Sequence, residues 1–254
     1  MMKCYVINLD KDIERLQFFS SNFKRLNLEF ERISAIDGRK FSEQDYQDFM
    51  RLRPRDNRPW LRGQMGCFLS HFNAWQLIAN GTEDYCAVFE DDVHISDDLQ
   101  YLLQDISWIP KNTDVIRLET STNRIFLSEK PVIKHGNRLA HKVLSTSWNA
   151  GAYILSRATA QKLVSLPVEQ HQPSDILLFN FNVSPFVKQL EILQFYPALC
   201  TQDKHHIKST NQFASNIEFD DAQSLISIIQ AYTPKNIWQG LVRSLQGYKR
   251  IGFQ

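Results

Sequence analysis

The chain has 254 residues, of which 43% are hydrophobic and 22% are charged, and its formal net charge is +1. These values are typical of a globular protein with one large domain or two small ones and exclude a chain too polar to bury a core. The balanced charge gives no indication of nucleic acid as a partner.

The first ten residues, MMKCYVINLD, contain too short an apolar run for a signal peptide. No later window approaches the roughly 18 uncharged apolar residues of a membrane-spanning helix. Four cysteines are widely spaced, without a CxxC pair: Cys4, Cys67, Cys86 and Cys200. We interpret them as reduced core residues, which favours a reducing compartment. The sequence therefore predicts a cytoplasmic protein, with any membrane contact limited to its surface.

A β-α-β unit is predicted at the start of the chain. Residues 4–9 form an apolar run typical of a buried strand, and residues 28–35 form a second strand that ends at the turn pair Asp37-Gly38. Between them, apolar side chains recur at helical spacing over residues 12–26. Such a unit implies a parallel sheet, whose ligands lie beyond the carboxyl ends of its strands.

A basic loop and a helix come next. Residues 51–62 contain five arginines, one acid and two prolines, so this loop is either solvated or holds an anionic substrate. Residues 66–80 predict a helix packed on the sheet, with Ser70 and His71 embedded in it. Because adjacent helical residues point about 100° apart, these two side chains do not form a nucleophile–base pair.

Three adjacent carboxylates, Glu90, Asp91 and Asp92, follow a predicted central strand at residues 85–89. Neighbouring acids at the end of a buried strand repel one another and are partly desolvated, so a cation is expected to compensate them. Magnesium or manganese suits such oxygen ligands. The alternative is a solvated acidic turn or a helix start capped by the acids at positions 97 and 98.

The later part of the chain predicts four more strands and two more helices. The strands are expected at 114–118, 143–147, 152–155 and 191–196, and the helices at 157–166 and 222–232. Asp175 lies between Pro173 and the apolar run 176–179, which is the arrangement of an acid at the start of a helix. It is either an N-cap, worth about 1 kcal/mol, or a chemical group.

Six sequence blocks occur in a recognisable order. They are Val6–Asp10 with Arg15, Ala35–Gly38, Gly63–His71, Val88–Val93, Asn149–Ser156 and Pro173–Asp175. With them the chain resembles, from residue 4 to about residue 203, the bacterial lipooligosaccharide glycosyltransferases of family 25, which are relatives of the collagen β-galactosyltransferases. One departure is Gln64, where the family usually has Glu: either the position contributes a functional carboxylate, which Gln does not supply, or it only caps the helix, for which Gln can substitute.

The resemblance implies a GT-A type α/β fold, with a mainly parallel central sheet flanked by helices and a Rossmann-like nucleotide-binding half. It divides the chain into a catalytic domain at 1–220, with its donor part at about 1–120 and its acceptor part at about 121–220, and a helical extension at 221–254. The implied reaction moves a hexose, usually galactose, from a UDP-sugar to a lipooligosaccharide or lipopolysaccharide outer-core sugar, with inversion at the anomeric carbon.

The resemblance also implies a role for the acidic triplet. In such folds it holds manganese or magnesium against the donor diphosphate, so we assign Asp92 as a metal ligand, Glu90 as a nucleotide contact or water-mediated ligand, and Asp91 as either. His205 completes the metal sphere, or else lies in an exposed polar loop. The nearby Lys204 or Lys208 is expected to meet diphosphate oxygens.

The remaining expected donor contacts are spread over four blocks: Asn8, Leu9, Ala35, Asp37, Gly66, Ser70, His71, Asn149 and Gly151. Asp37 belongs to the turn under the uracil or ribose, while Asn149 and Gly151 lie near the transferred sugar. Inverting transfer also needs a base near the acceptor hydroxyl, and the family block favours Asp175 for this role.

The tail between residues 235 and 254 carries four basic residues and no acid, with apolar side chains at helical spacing. This pattern predicts a basic amphipathic helix that lies on an anionic membrane, docks onto the protein, or contacts a second subunit. Two alternatives to the proposed activity remain at this stage. One is a metal-dependent phosphohydrolase or nucleotidyltransferase, and the other is a nucleotide-sugar-binding protein without catalysis.

Overall fold

The structure is a computed structural model and describes residues 1–53, 59–120, 123–206 and 247–254. Its helices are α1 Ile13–Arg25, α2 Glu43–Leu52, α3 Arg62–Ala79, α4 Leu99–Gln104, α5 Arg157–Val164 and α6 Ser174–Phe179. Its strands are β1 Lys3–Asn8, β2 Glu31–Ser34, β3 Tyr85–Glu90, β4 Val93–Ile95, β5 Val115–Arg117, β6 Glu119–Thr120, β7 Arg124–Ile125, β8 Ile133–His135, β9 Arg138–Lys142, β10 Ala152–Ser156, β11 Ile192–Tyr196, β12 Cys200–Gln202 and β13 Lys249–Arg250.

The central sheet has eight strands in the order β2-β1-β3-β10-β5-β11-β9-β8. Strands β2, β1, β3, β5, β11 and β8 run in one direction, while β10 and β9 run in the other. The predicted α/β class with a mainly parallel sheet is therefore confirmed. The β-α-β opening is confirmed as well, because β1 and β2 pair in parallel with α1 between them in the chain.

Both faces of the sheet are covered. Successive residues of β1 point to opposite faces, so Tyr5 joins the core beneath α3, α5 and α6, whereas Val6 joins the core beneath α1 and α4. Helix α1 forms because its apolar residues recur at helical spacing. It packs Phe19 and Phe23 within 5.7 Å and 5.4 Å of the Phe89 ring, measured between centroids.

A second sheet of three strands, in the order β4-β12-β6, stands at the carboxyl edge of the first. Strand β4 follows β3 directly, β6 follows β5, and β12 follows β11. The chain therefore continues past the ends of three parallel strands and pairs again above them. This arrangement surrounds the end of β3, where the acidic triplet lies, with polar side chains from distant parts of the sequence.

Two of the predicted strands differ from the observed ones. The strand expected at 143–147 is wrong: β9 ends at Lys142, and Val143 contributes a single bridge to Leu127. The strand lies earlier because β8 and β9 form a hairpin whose turn contains Gly136, at a φ of +57°. The strand expected at 28–35 is shorter than predicted, because Asn27 ends α1 in the left-handed region, at a φ of +51°.

Part of the C-terminal prediction can be compared with the structure. The helix predicted at 222–232 and most of the one predicted between 235 and 254 lie outside the described residues. The end of the latter helix is wrong, because Gly247 has a φ of +86° and Lys249–Arg250 pairs with β7 as a strand. Within the described ranges, no helix combines the length and the apolar character needed to cross a membrane.

Candidate active site

Two adjoining cavities open at the carboxyl edge of the central sheet. The first has a volume of about 740 Å³ and the second of about 670 Å³, including space open to solvent. Four side chains line both of them: Cys67, Glu90, Gln202 and Lys204. The two cavities are therefore separated by a shared wall, built from α3, the end of β3 and the residues at and after the end of β12.

Most of the predicted donor contacts line the first cavity. They are Leu9, Ala35, Asp37, Ser70, His71, Glu90 and Asp91, and Asp92 joins them. Asn149 lines the second cavity instead, together with Asp175. The cavity linings do not include Asn8, Gly66, Gly151 or His205, which lie behind or beside the walls. The binding roles assigned to these four residues stay predictions.

The turn at one end of the first cavity is held by an acid and its neighbours. Asp37 accepts hydrogen bonds from Arg39 through the backbone N–H at 3.2 Å, Nε at 2.8 Å and Nη2 at 3.0 Å. Lys11 Nζ lies 3.5 Å from the Oδ2 oxygen of Asp37. The hydrogen bond from the Arg39 side chain lowers the pKa of Asp37 to about 2. The turn therefore presents a fixed negative charge with guanidinium and ammonium groups beside it.

Helix α3 holds this turn in place through two small residues. Ser70 Oγ accepts the Ile36 N–H at 2.8 Å and donates to the Gly66 carbonyl at 2.6 Å. A Cβ on Gly66 would lie 2.3 Å from the Ile36 carbonyl oxygen, so a larger residue does not fit. Gly66 thus allows the helix and the turn to approach closely. It shapes the cavity from behind and does not line it.

The middle carboxylate of the triplet is occupied by groups of the protein. Asp91 accepts a hydrogen bond from Asn8 Nδ2 at 2.7 Å and another from Arg15 Nη1 at 2.9 Å. Burial raises the pKa of Asp91 even though Arg15 and Asn8 oppose the shift. Arg15 also reaches the Asp92 carboxylate, at 3.7 Å. One of the cations that compensate the triplet is therefore this arginine.

The first carboxylate of the triplet belongs to a hydrogen-bonded chain that reaches into the core. His71 Nε2 lies 3.3 Å from Glu90 Oε1, and His71 Nδ1 lies 2.9 Å from the hydroxyl of Tyr153. Trp75 Nε1 donates to the same hydroxyl at 2.8 Å. Burial acts to raise the pKa of Glu90, but the hydrogen bond and charge of His71 outweigh it, so the pKa is lowered. Glu90 is thereby held in its ionised form.

The last carboxylate of the triplet carries charge that its neighbours compensate less well. Burial and the repulsion of Glu90 raise the pKa of Asp92 to about 7, although Arg15 and Lys204 act against this shift. A divalent cation beside Asp92 and Glu90 would remove both penalties, and carboxylate oxygens are the ligands that manganese and magnesium prefer. These two residues thus fit such an ion.

Among the residues that the structure describes, Cys67, His71 and Glu90 form the one group of three potential ligands whose donor atoms lie within 4.8 Å of one another. A thiol is unsuited to manganese or magnesium, and burial raises the pKa of Cys67 well above its usual range. His205 Nε2 lies 3.2 Å from Asn149 Nδ2. Its role as a metal ligand stays a prediction.

The second cavity contains the carboxylate predicted to act as a base. Asp175 lies in the first turn of α6, and its Oδ1 accepts the Ile176 N–H at 2.9 Å. The backbone N–H of Asn149 also donates to this carboxylate. Burial raises the pKa of Asp175 in spite of these two bonds. In the described parts of the chain, no lysine or arginine forms an ion pair with it.

A buried arginine fixes the loop that faces Asp175. Arg117 donates to the carbonyls of Asn149 at 3.0 Å and Trp148 at 2.9 Å, and its guanidinium lies 4.2 Å from the centroid of the Phe179 ring. These bonds hold Asn149 at a φ of +68°. The N–H of Gly151 donates to Glu119 at 2.5 Å. The loop around Asn149 is therefore a rigid part of the wall.

Gln64, at the position where Glu is usual, has a structural role at the start of α3. Gln64 Oε1 accepts the N–H of Leu61 at 3.1 Å, at the start of α3. Gln thus supplies the helix cap that Glu would supply. Gln64 also lines the second cavity, where it is uncharged.

Several residues of the site were not predicted from the sequence. Gln202 and Cys67 line both cavities, while Arg117, Glu119 and Tyr153 support them from behind. Arg117 ends the otherwise apolar strand β5, and a polar residue in such a strand is the signal that was available. The short strand β12, which contains Gln202, gives no such signal. Lys204 was named as a possible phosphate contact, and it does line both cavities.

Comparison with known proteins places this site in a family. The profile of "Glycosyltransferase family 25 (LPS biosynthesis protein)" matches residues 1–178. The lacto-N-neotetraose biosynthesis glycosyltransferase LgtE of Neisseria gonorrhoeae is 28% identical over 237 residues, which are 87% of this chain and 82% of that protein. The lipooligosaccharide biosynthesis protein lic2B of Haemophilus influenzae is 26% identical over 243 residues, 92% of this chain and 88% of that protein.

Among solved structures, the chain is similar to a glycosyltransferase involved in the glycosylation of the major capsid of PBCV-1. The similarity covers 88% of this chain and 98% of that one, with 9% identity and a TM-score of 0.41. The profile match and the mixed sheet agree with the expected GT-A type α/β fold class. Because the profile covers more than half of its length, the chain belongs to glycosyltransferase family 25.

Proposed function

We propose that the protein is a metal-dependent, inverting glycosyltransferase that moves a hexose, preferably galactose, from a UDP-sugar to an outer-core sugar of lipooligosaccharide. The observation that carries this proposal is the pair of joined cavities. Glu90 and Asp92 face the first, Asp175 faces the second, and Glu90, Gln202 and Lys204 line both. A donor in one cavity and an acceptor in the other would meet at the shared wall.

The first cavity suits a nucleoside diphosphate. Asp37 offers a fixed, ionised carboxylate to ribose or uracil hydrogen-bond donors. Lys204 lines the cavity and forms no ion pair with another described residue, so its charge is free to meet phosphate oxygens. Asp92 and Glu90 would hold manganese or magnesium. When bound, the ion offsets the charge that builds on the departing UDP.

His205 is retained in this proposal as a third ligand. Its imidazole shares a hydrogen bond with Asn149, so binding an ion requires that contact to be exchanged. Burial and the adjacent Lys204 lower the pKa of His205, which keeps the ring neutral, as a ligand must be.

The second cavity suits the sugar that receives the hexose. In the proposed reaction Asp175 takes the proton of the acceptor hydroxyl while the oxygen of that hydroxyl bonds to the anomeric carbon. The bond from that carbon to the phosphate oxygen breaks on the opposite face, so the configuration inverts. Asp175 forms no ion pair with a described lysine or arginine, whereas Arg15 pairs with Asp91, so Asp175 is the better proton acceptor of the two.

The acceptor class is supported by the relatives, whose names refer to lacto-N-neotetraose and lipooligosaccharide biosynthesis. An acceptor that is attached to lipid also gives a reason for contact with the inner face of the bacterial membrane. We propose that the segment from residue 235 onward provides this contact, or else a dimer contact. Of this segment, only residues 247–254 belong to the described structure.

A panel experiment tests the proposed function. The full chain is mixed with manganese, one of several UDP-sugars and a set of truncated lipooligosaccharides, and each product linkage is determined by NMR. We expect transfer from UDP-galactose with a β-linkage in the product. Transfer from UDP-glucose alone would correct the donor, and an α-linkage would contradict inversion. An absence of UDP binding would refute the proposal.

A further inference from the structure

We propose that Gln202 is a positioning residue that fixes the donor-side carboxylates and the acceptor-side loop relative to each other. This inference rests on the proposed function and deepens it. Gln202 ends β12 and is 5% exposed, and it is one of the four residues that line both cavities.

The side-chain amide of Gln202 uses both of its ends. Its Nε2 donates to Glu90 Oε2 at 2.6 Å and lies 3.5 Å from Asp92 Oδ1. Its Oε1 accepts from Asn149 Nδ2 at 2.8 Å. Ionised carboxylates only accept hydrogen bonds, so the nitrogen end must face Glu90 and Asp92. The partners on both sides therefore determine one orientation of the amide.

The contact with Asn149 extends the effect of Gln202 to the second cavity. Asn149 has a φ of +68°, and its backbone N–H donates to the Asp175 carboxylate. The side chain of Asn149 thus ties Gln202 to the same residue whose backbone holds Asp175. Hydrogen bonds join Glu90 to Gln202 and Gln202 to Asn149, whose backbone N–H in turn interacts with the Asp175 carboxylate.

The amide chemistry of Gln202 is necessary for this arrangement. A leucine or methionine of similar size would leave one oxygen of Glu90 and the amide of Asn149 without this buried partner. Gln202 also packs against the loop itself, because a Cβ on Gly151 would lie 3.1 Å from Gln202 Cγ. The fold therefore leaves Gln202 little freedom to adopt another rotamer.

The first test measures manganese binding without turnover. Free manganese is followed by electron paramagnetic resonance in the wild-type chain, in Gln202→Leu and in the closer isostere Gln202→Met, with and without UDP. Outer-shell partners of metal ligands typically contribute tenfold or more to affinity, so we expect both variants to bind manganese about tenfold more weakly. UDP affinity in the absence of metal is expected to stay within about threefold.

The control for this test is Gln161→Leu. Gln161 lies on α5 and donates to the Ala79 carbonyl at 3.3 Å, away from both cavities. We expect it to bind manganese as the wild type does. Thermal unfolding identifies any variant that fails to fold, and Gln202→Met then takes the place of Gln202→Leu. Wild-type affinity in a folded Gln202 variant would overturn the proposal.

The second test asks whether Gln202 acts on the acceptor side through Asn149. Asn149→Gly keeps the backbone at positive φ, and with it the N–H to Asp175, but removes the amide that contacts Gln202. If both residues act along one path, the kcat of the double variant equals that of the less active single variant. Independent, multiplicative losses would contradict the path.

The failure of this inference is distinct from the failure of the proposed function. If the wild-type chain binds neither UDP nor manganese, the proposed function is wrong. If the wild type binds both, and the folded Gln202 variants match it in affinity and kcat, only the role of Gln202 is wrong.

Discussion

The carboxylates at the end of β3 and the carboxylate at the start of α6 border the same pair of cavities in different electrostatic surroundings. Arg15 lies within 2.9 Å of Asp91 and 3.7 Å of Asp92, and His71 contacts Glu90. Asp175 has two backbone N–H donors and, in the described parts of the chain, no ion pair with a lysine or arginine. Arg15 thus forms ion pairs with two members of the first group, whereas Asp175 forms none with a lysine or arginine of the described residues.

This difference corresponds to the chemistry proposed for each side. Acids that hold an ion must be charged when it binds. Arg15 favours the charged forms of Asp91 and Asp92, and a divalent ion would further offset the burial that still raises the pKa of both. An acid that accepts a proton gains from a raised pKa, which a close cation would lower. The same sheet edge therefore supports two kinds of carboxylate, because the residues opposite each one differ. The four predictions that follow test this contrast from the larger expected effect to the smaller.

The largest effect is expected from Asp175→Asn. The amide oxygen still accepts the Ile176 N–H, so the start of α6 is preserved, but the side chain no longer takes a proton. We expect kcat for transfer to fall by about 10²- to 10⁴-fold with unchanged UDP affinity, as measured by product formation and calorimetry. Asp45→Asn, at a helix start away from the cavities, is the control. Full transfer by Asp175→Asn would show that Asp175 is not the base and would contradict the contrast between the two sets of carboxylates.

Arg15→Met tests the compensated side. The Arg15 side chain is 12% exposed, and its replacement leaves Asp91 and Asp92 without their ion-pair partner. We expect the free energy of unfolding, from urea titration, to fall by about 3 kcal/mol. Arg157→Met, which breaks an exposed pair with Asp84, should cost about 1 kcal/mol or less. Equal losses in the two variants would show that the triplet does not depend on Arg15.

Glu119→Gln tests a buried acid that forms no ion pair with a described residue, although the charge of Arg117 acts on it. Burial raises the pKa of Glu119 from 4.5 to about 8, so the folded chain retains a proton that the unfolded chain releases. The contribution of this group to stability is therefore greatest below pH 4.5 and is lost as the pH rises toward 8.

The difference in unfolding free energy between the wild type and Glu119→Gln isolates the pH-dependent contribution of Glu119, because Gln does not titrate. Relative to Glu119→Gln, we expect the wild type to lose about 1.4 kcal/mol of unfolding free energy for each pH unit of increase between about pH 5 and 8. Urea titrations at three pH values measure it. A difference that is independent of pH would mean that Glu119 is ionised throughout this interval.

The smallest effect is expected from Ser70→Ala. Ser70 is 1% exposed and accepts the Ile36 N–H, so its loss leaves that donor without this partner behind the first cavity. We expect a loss of about 1 kcal/mol in unfolding free energy and weaker UDP binding, with no change in the acceptor KM. Ser165→Ala, whose hydroxyl bonds the Lys162 carbonyl at the surface, is the control. A raised acceptor KM would contradict the assignment of the turn to the donor.

Local patterns were sufficient to predict the β-α-β opening, α3 and the position of the triplet at a strand end. They were insufficient for the partners of the triplet, since Arg15 precedes Asp91 by 76 residues and Gln202 follows Glu90 by 112. The contact of Arg15 depends on how α1 packs against β3, and that of Gln202 depends on the second sheet, whose short strands give no periodic signal. The hairpin of β8 and β9 was missed because polar residues alternate with few apolar ones around Gly136.

The most direct test of the account is calorimetry of UDP binding to the wild-type chain and to Asp92→Asn, with and without manganese. We expect manganese to tighten UDP binding by about tenfold or more in the wild type, and we expect Asp92→Asn to lose this gain while keeping its metal-free affinity. Equal UDP affinity in all four titrations would contradict a donor site built on the triplet, as would the absence of UDP binding.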